Sequence, residues 1–118
     1  MEKIFDRGNV LASACPSRKI LQHLTSRWGA LVLVTLNSGT KRFSELRRAI
    51  DGVSERMLTK TLQELEADGM LIRKSYNTVP PQVDYTLTKF GAEASNKMFD
   101  LVDWLETNLG NILASQKK

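Results

Sequence analysis

The chain has little of what several function classes require. One cysteine, Cys15, excludes an internal disulfide and fits a reducing, intracellular setting. One histidine, His23, joined to that cysteine, falls short of a zinc site unless carboxylates complete it. No apolar run reaches the length of a bilayer span, and the opening MEKIFDRGN lacks the apolar stretch of a secretory signal, so a cytoplasmic protein is expected. Signatures of catalysis are missing as well. No carboxylate pair has motif spacing, there is no Gly-x-Ser-x-Gly, and Ser38-Gly39-Thr40-Lys41 lacks the upstream glycine and following helix of a phosphate loop. Neither an enzyme, nor a metal, nor a cofactor is expected. Three prolines and seven glycines, against 42% apolar residues, argue against wholesale disorder or a fibrous repeat.

What is present amounts to one domain with room for one core: 118 residues, net charge +4 and a pI near 9.4. The charge is uneven. Residues 1–28 carry a net +3, residues 29–89 a net +2 and residues 90–118 a net −1. A basic excess permits a polyanionic partner, and the acidic tail points to a different role for the C-terminal segment.

Punctuation divides the chain into short helices and one hairpin. Cys15-Pro16-Ser17 reads as a helix start, since proline is tolerated where its missing N–H has no partner. Ile20, Leu21 and Leu24 make one apolar face, and the helix ends near Ser26. His23, between Gln22 and Leu24, is expected on the surface. Trp28 to Leu36 is apolar enough for a central buried helix, which Asn37-Ser38-Gly39 stops. Lys41-Arg42-Phe43 reads as an extended link. Ser44 is the expected cap of a helix carrying Glu45, Leu46 and Ile50, and Ser54 the cap of a helix running to Asp68. Met57, Leu58, Leu62 and Leu65 mark that helix's inner face.

After Gly69 the period changes. Leu71–Tyr76 and Val83–Leu87 read as strands around a loop containing Pro80-Pro81, which cannot sit inside a ladder. From Thr88 to Leu113 helical spacing returns through Ala94, Met98, Leu101, Val102, Leu105, Leu109 and Ile112. The expected fold class is mainly α with a small β-hairpin: a winged helix-turn-helix.

With positions 58, 62 and 65 turned inward, the opposite side of the 54–68 helix presents Arg56, Thr59, Lys60 and Gln63 at i, i+3, i+4 and i+7. These residue types read a major groove: arginine and lysine for guanine edges or phosphates, threonine for a thymine methyl, glutamine for adenine. Lys41, Arg42, Arg47, Arg48, Arg73 and Lys74 are expected to converge on the same surface and position the DNA backbone. The helix starts at Ser44 and Ser54 offer phosphates further backbone N–H groups. Glu64 and Asp68 sit at i, i+4 and repel, which propensity does not explain. A solvated, purely ordinary face is the alternative for a lone stripe, and a winged helix that binds protein rather than DNA is the alternative for the whole surface.

These segments carry a family resemblance. Lys41-Arg42-Phe43-Ser44-Glu45-Leu46-Arg47-Arg48-Ala49-Ile50, Gly52-Val53-Ser54, Met57-Leu58-Thr59, Leu62-x-Glu64-Leu65-Glu66-x-Asp68-Gly69 and Val79-Pro80-Pro81-x-Val83-x-Tyr85-x-Leu87-Thr88-x-x-Gly91 resemble the HxlR family of bacterial winged helix-turn-helix transcription regulators. Cys15-Pro16 and Trp28 also match, so the resemblance spans roughly residues 15 to 105. Thr25-Ser26-Arg27-Trp28 departs from the family's frequent Gly-Gly-Lys-Trp at a turn. The resemblance implies a homodimer of MarR-like architecture on operator DNA, expected to be a repressor on a pseudo-palindromic site.

A dimer is also suggested by the residues themselves. The C-terminal stripe of Met98, Leu101, Val102, Leu105, Leu109 and Ile112 is long for one small core, and Ile4, Phe5, Val10 and Leu11 of the N-terminal arm are expected to join it against a second copy; the alternative is that the helix folds back on its own domain. The expected organisation is an arm over residues 1–14, a DNA-binding winged helix-turn-helix over 15–90 and a dimerisation helix with tail over 91–118. Cys15 has two readings. At a helix start beside Arg18 and Lys19 its thiolate is favoured, and family members resembling this chain use such a cysteine to sense quinones, aldehydes or oxidants; otherwise it is a small packed residue. An electrophile or oxidant is therefore the candidate effector.

Overall fold

The computed structural model describes residues 7–116, so Ile4 and Phe5 of the expected dimer contacts lie outside it. The first helix, α1 (Pro16–Thr25), begins at the proline, with Cys15 extended at the cap position. Only Ser26 separates it from α2 (Arg27–Leu36). The Ser26 hydroxyl accepts the Gly29 N–H at 3.1 Å and donates to the His23 carbonyl at 3.0 Å, so one side chain closes α1 and opens α2. A Cβ on Gly29 would overlap that same carbonyl, which is why this tight corner requires glycine. Val32, Leu33 and Leu36 of α2 are buried at the centre of the molecule.

Residues 41 and 42 are more than a link. They form β1 (Lys41–Arg42), paired antiparallel with a later strand. The next helix, α3 (Phe43–Ala49), starts two residues earlier than expected, and Ser44 is inside it rather than capping it. Instead the Glu45 carboxylate accepts the Arg42 N–H at 2.8 Å, satisfying one of the free donors at the helix start. Ser54 does cap α4 (Glu55–Ala67), accepting the Met57 N–H at 3.0 Å. Leu58, Leu62 and Leu65 are buried as expected, but Met57 is 40% exposed. It stands off the 58–62–65 row, and Thr61 takes the inner position.

Strands β2 (Leu71–Tyr76) and β3 (Gln82–Leu87) form the wing, in a sheet of order β1-β3-β2. Tyr85 and Leu71 face the core formed by Val32, Leu36, Leu46, Ile50, Val53 and the α4 leucines. Thr88 then caps α5 (Lys89–Ser115), accepting the Gly91 N–H at 3.0 Å and donating to the Gly69 carbonyl at 2.6 Å. Gly91 lies directly on the Met70 carbonyl, where a Cβ would overlap backbone. One turn on, the fully buried Ser95 hydroxyl donates to the Leu33 carbonyl at 2.7 Å and accepts from Asn37 Nδ2 at 2.9 Å. The start of α5 is thus fastened to α2 and to the turn before β2. Met98 and Leu101 still border α1 across a groove, the later turns are mostly exposed, and the radius of gyration is 16.5 Å, against about 13 Å for a compact chain of this size.

Candidate nucleic-acid interface

The turn between α3 and α4 places the N-terminus of α4 at the surface. Arg56, Thr59, Lys60 and Gln63 are all exposed on its outward side. The Thr59 hydroxyl donates to the Glu55 carbonyl at 2.8 Å, leaving its methyl as the outward group. Lys60 reaches Glu64 at 3.1 Å along the helix, a pair of solvent-exposed kind that a phosphate can compete for.

On one side of this stripe, Ser44, Arg47 and Arg48 of α3 line a surface depression of about 530 Å³ with Phe43 and Glu55. Arg47 lies 3.9 Å from the Glu55 carboxylate. The structure therefore brings the α3 arginines and the start of α4 together. It separates the pairs on the strands. Register sets Lys41 opposite Tyr85 and Arg42 opposite Asp84, with Arg73 and Lys74 opposite those same two residues on the other side. Neighbouring strand residues point to opposite faces, so Arg42 and Lys74 share the face of Asp84 while Lys41 and Arg73 share the face of Tyr85. Lys41 is further drawn to the Ser38 hydroxyl at 2.9 Å, and the Lys74 ammonium lies 5.1 Å from the centre of the Tyr76 ring.

Two acids at the far end of α4, Glu64 and Asp68, lie beside His23. It is half-buried rather than a free surface residue, and its Nδ1 lies 2.6 Å from Asp68 Oδ2 while Nε2 lies 3.9 Å from Glu64 Oε2. Glu64 and Asp68 thus share a neighbour that lies 45 positions from Asp68 in the chain. That unexplained repulsion was the available signal for a partner. The other side of α4 faces the start of α2 across a groove lined by Arg27, Trp28, Met57, Lys60 and Glu64, with the Arg27 guanidinium 5.4 Å from the centre of the Trp28 ring.

Cys15 is half-buried in a second place, a groove of about 680 Å³ shared with Arg7, Asn9, Pro16, Ser17 and Ile20. Its sulfur accepts the Asn9 N–H at 3.3 Å and lies 3.0 Å from the Ser17 hydroxyl. The Asn9 amide, then the Ser17 hydroxyl and amide, hold the thiol below its ordinary range, with burial opposing them. Arg18 does not supply this effect as expected: its guanidinium donates to the Val10 and Leu11 carbonyls at 3.0 and 2.9 Å, pinning the arm to α1.

Val10, Leu11, Leu101, Leu105 and Leu109 are exposed, and Met98, Val102 and Ile112 half-exposed, so the residues expected at a dimer contact are uncovered in the single chain. Phe99, Trp104 and Leu113 add exposed apolar surface to the same helix. Among the described residues, no helix is long and apolar enough to cross a membrane, and no group of acidic, histidine and cysteine side chains is placed to hold a metal.

Comparison with known proteins agrees with this geometry. Residues 23–112 match the HxlR-like helix-turn-helix family. The chain is 56% identical over 107 residues to the uncharacterized HTH-type transcriptional regulator YtfH of Escherichia coli, covering 91% of this chain and 85% of the relative. Among solved structures, ytfH of Salmonella typhimurium, named as a transcriptional regulator, superposes with a TM-score of 0.90 at 54% identity over 95% of this chain and all of that one. The redox regulator HypR in its reduced form superposes with a TM-score of 0.74 at 37% identity, over 85% of this chain and 98% of that one.

Proposed function

Because the chain belongs to the HxlR-like helix-turn-helix family of transcriptional regulators, we propose that it acts as a homodimeric repressor that lays α4 of each protomer in the major groove of a pseudo-palindromic operator. The observation that carries this reading is the outward stripe of Arg56, Thr59, Lys60 and Gln63 on a helix whose start adjoins Arg47 and Arg48, with Asp68 at its far end held by His23. A helix entering by its N-terminus presents cations to the groove and keeps Glu64 and Asp68 at the rear. Arg42 and Lys74, sharing one face of the wing, hold the backbone. In a two-fold dimer the two α4 helices lie about 34 Å apart, one helical turn of DNA. The uncovered apolar row of α5, with the arm residues, forms the contact between copies, and residues 91–118 serve as the dimerisation segment.

Cys15 is the proposed receptor of an electrophile or oxidant. Its hydrogen-bonded, partly exposed sulfur favours the reactive thiolate, and the similar HypR is named a redox regulator. Modification there strains the junction between arm and α1 and shifts the two reading helices out of step.

The deciding experiment selects bound genomic fragments with the purified protein, then titrates one selected duplex over a range of salt. Affinity falling steeply with salt supports DNA binding, whereas a flat response points to a protein-binding winged helix. Arg56→Ala weakens the selected site by about 1–3 kcal/mol at one base position. Lys74→Ala weakens all duplexes alike and flattens the salt slope. Equal effects of the two variants on selected and random DNA would contradict these roles. Cys15→Ser keeps fragment binding and loses release by a quinone or aldehyde; an unchanged release removes Cys15 from the mechanism.

A further inference from the structure

A helix seated in a major groove has a phosphate strand on each side, because the groove, about 12 Å wide, is bounded by both backbones. The α3 arginines lie on one side of α4. On the other side runs the groove between α4 and the start of α2, about 320 Å³ in volume. Met57, Lys60 and Glu64 form its α4 wall at helical spacing, and Lys60 belongs at the same time to the outward stripe. The groove therefore borders the reading surface directly.

Its other wall is Arg27 and Trp28. Trp28 is half-buried and packed against the core, so its ring is a fixed platform. Arg27 is exposed, and its guanidinium carbon lies over that ring, 5.4 Å from its centre. A cation–π contact of this kind restrains a guanidinium without using its N–H donors, which stay available to a bidentate acceptor. Across the groove, Lys60 is held by Glu64 at 3.1 Å, which satisfies that carboxylate locally. The pre-oriented cation of this wall is Arg27, and the acceptor that fits a planar fork beside a DNA-reading helix is a phosphate.

We infer that Arg27, held on Trp28, is a phosphate clamp that grips the DNA strand on the α2 side of α4, opposite the strand held by Arg47 and Arg48. This rests on the reading of α4 as the groove-entering helix. The contact carries no sequence information; it sets how deeply and at what angle α4 enters.

The test measures binding of a random-sequence 30-base-pair duplex by fluorescence anisotropy at several salt concentrations, for the full chain and three variants. Arg27→Ala is expected to bind roughly three- to tenfold more weakly and to lower the slope of log affinity against log salt by roughly 0.9 per protomer, one phosphate's share. Arg27→Lys keeps the charge and is expected to keep the slope. Lys97→Ala on α5 removes the same charge away from α4 and is expected to leave the slope unchanged. A wild-type slope in Arg27→Ala overturns the clamp, as does an equal loss in Lys97→Ala, which would make the effect one of net charge. Loss of the slope in Arg27→Lys would also overturn it. Absence of salt-dependent binding by the unaltered protein is a different outcome, since it removes the reading of α4 itself.

Discussion

Helices α4 and α5 share a design on paper and differ in the folded chain. Each opens on a hydroxyl cap, Ser54 or Thr88, and each carries leucines at three- and four-residue steps. In α4 that row is consumed: Leu58 and Leu65 are 0% exposed. In α5 only Gly91 and Ser95, both in the first two turns, are buried, while Trp104 is 57% and Leu109 46% exposed. Periodicity reports that a helix has an apolar side. It does not report whether that side faces the chain's own core or another molecule. The difference lies in the supply of partner surface. Helices α2 to α4 and the sheet already close one core around Leu36, Leu46 and Tyr85, and among the described residues α5 is left mostly exposed beyond the groove where Met98 and Leu101 meet α1. A contiguous apolar row left in water on an otherwise well-packed chain marks an interaction surface.

Charging the uncovered row of α5 should have the largest effect. Leu105→Glu combined with Leu109→Glu should convert the protein from dimer to monomer by sedimentation equilibrium while far-ultraviolet circular dichroism holds its helical content. A dimer that survives both charges would mean that the α5 row is not the contact, and the two helices would differ only by accident of exposure. The next effect is on folding. Leu58→Ala removes a fully buried side chain and should lower unfolding free energy by about 2–5 kcal/mol, read as a shift of the urea midpoint. Leu109→Ala should move the midpoint less, and, if α5 forms the proposed contact between copies, by an amount that depends on protein concentration. Equal, concentration-independent shifts would place both rows in one core.

The same contrast explains what the sequence disclosed. Local signals were legible: the proline start of α1, the Ser54 and Thr88 caps, the prolines at the wing tip and the i, i+3, i+4, i+7 stripe on α4 all depend on residues within one or two turns. Non-local ones were not. Two residues are too few to show alternation, so β1 was visible only once β3, more than 40 positions later, was there to pair with it. Ser44 has the chemistry of a cap, but Glu45 reaching back to the Arg42 amide moves the helix start earlier. His23 looked like a surface residue because Asp68, its partner, is distant in the chain. Of the expected DNA surface, the four α4 stripe residues are exposed, and the α3 arginines lie beside Glu55 at the start of that helix. The strand cations divide between two faces, because pleating separates neighbours that a linear reading groups.

The smallest effect concerns Cys15, which lies at the junction of arm and α1 rather than on either helix compared above. Its thiol is lowered first by the Asn9 amide and then by Ser17. A depressed acid is deprotonated at lower pH, so alkylation by iodoacetamide should reach half its limiting rate below about pH 8.5, the midpoint of an ordinary cysteine. Ser17→Ala removes the hydroxyl at 3.0 Å while leaving the Asn9 donor in place. The midpoint should therefore move upward part of the way toward the ordinary value, and the rate at pH 7.5 should fall accordingly. Because the Ser17 side chain is remote from α5, the variant should keep the parent's oligomeric state. If the midpoint does not move, the hydroxyl is a donor to something other than sulfur, and the reactivity of Cys15 would depend on the arm backbone alone. That would tie any chemical signal at this cysteine to how the arm is held by Arg18 on the Val10 and Leu11 carbonyls.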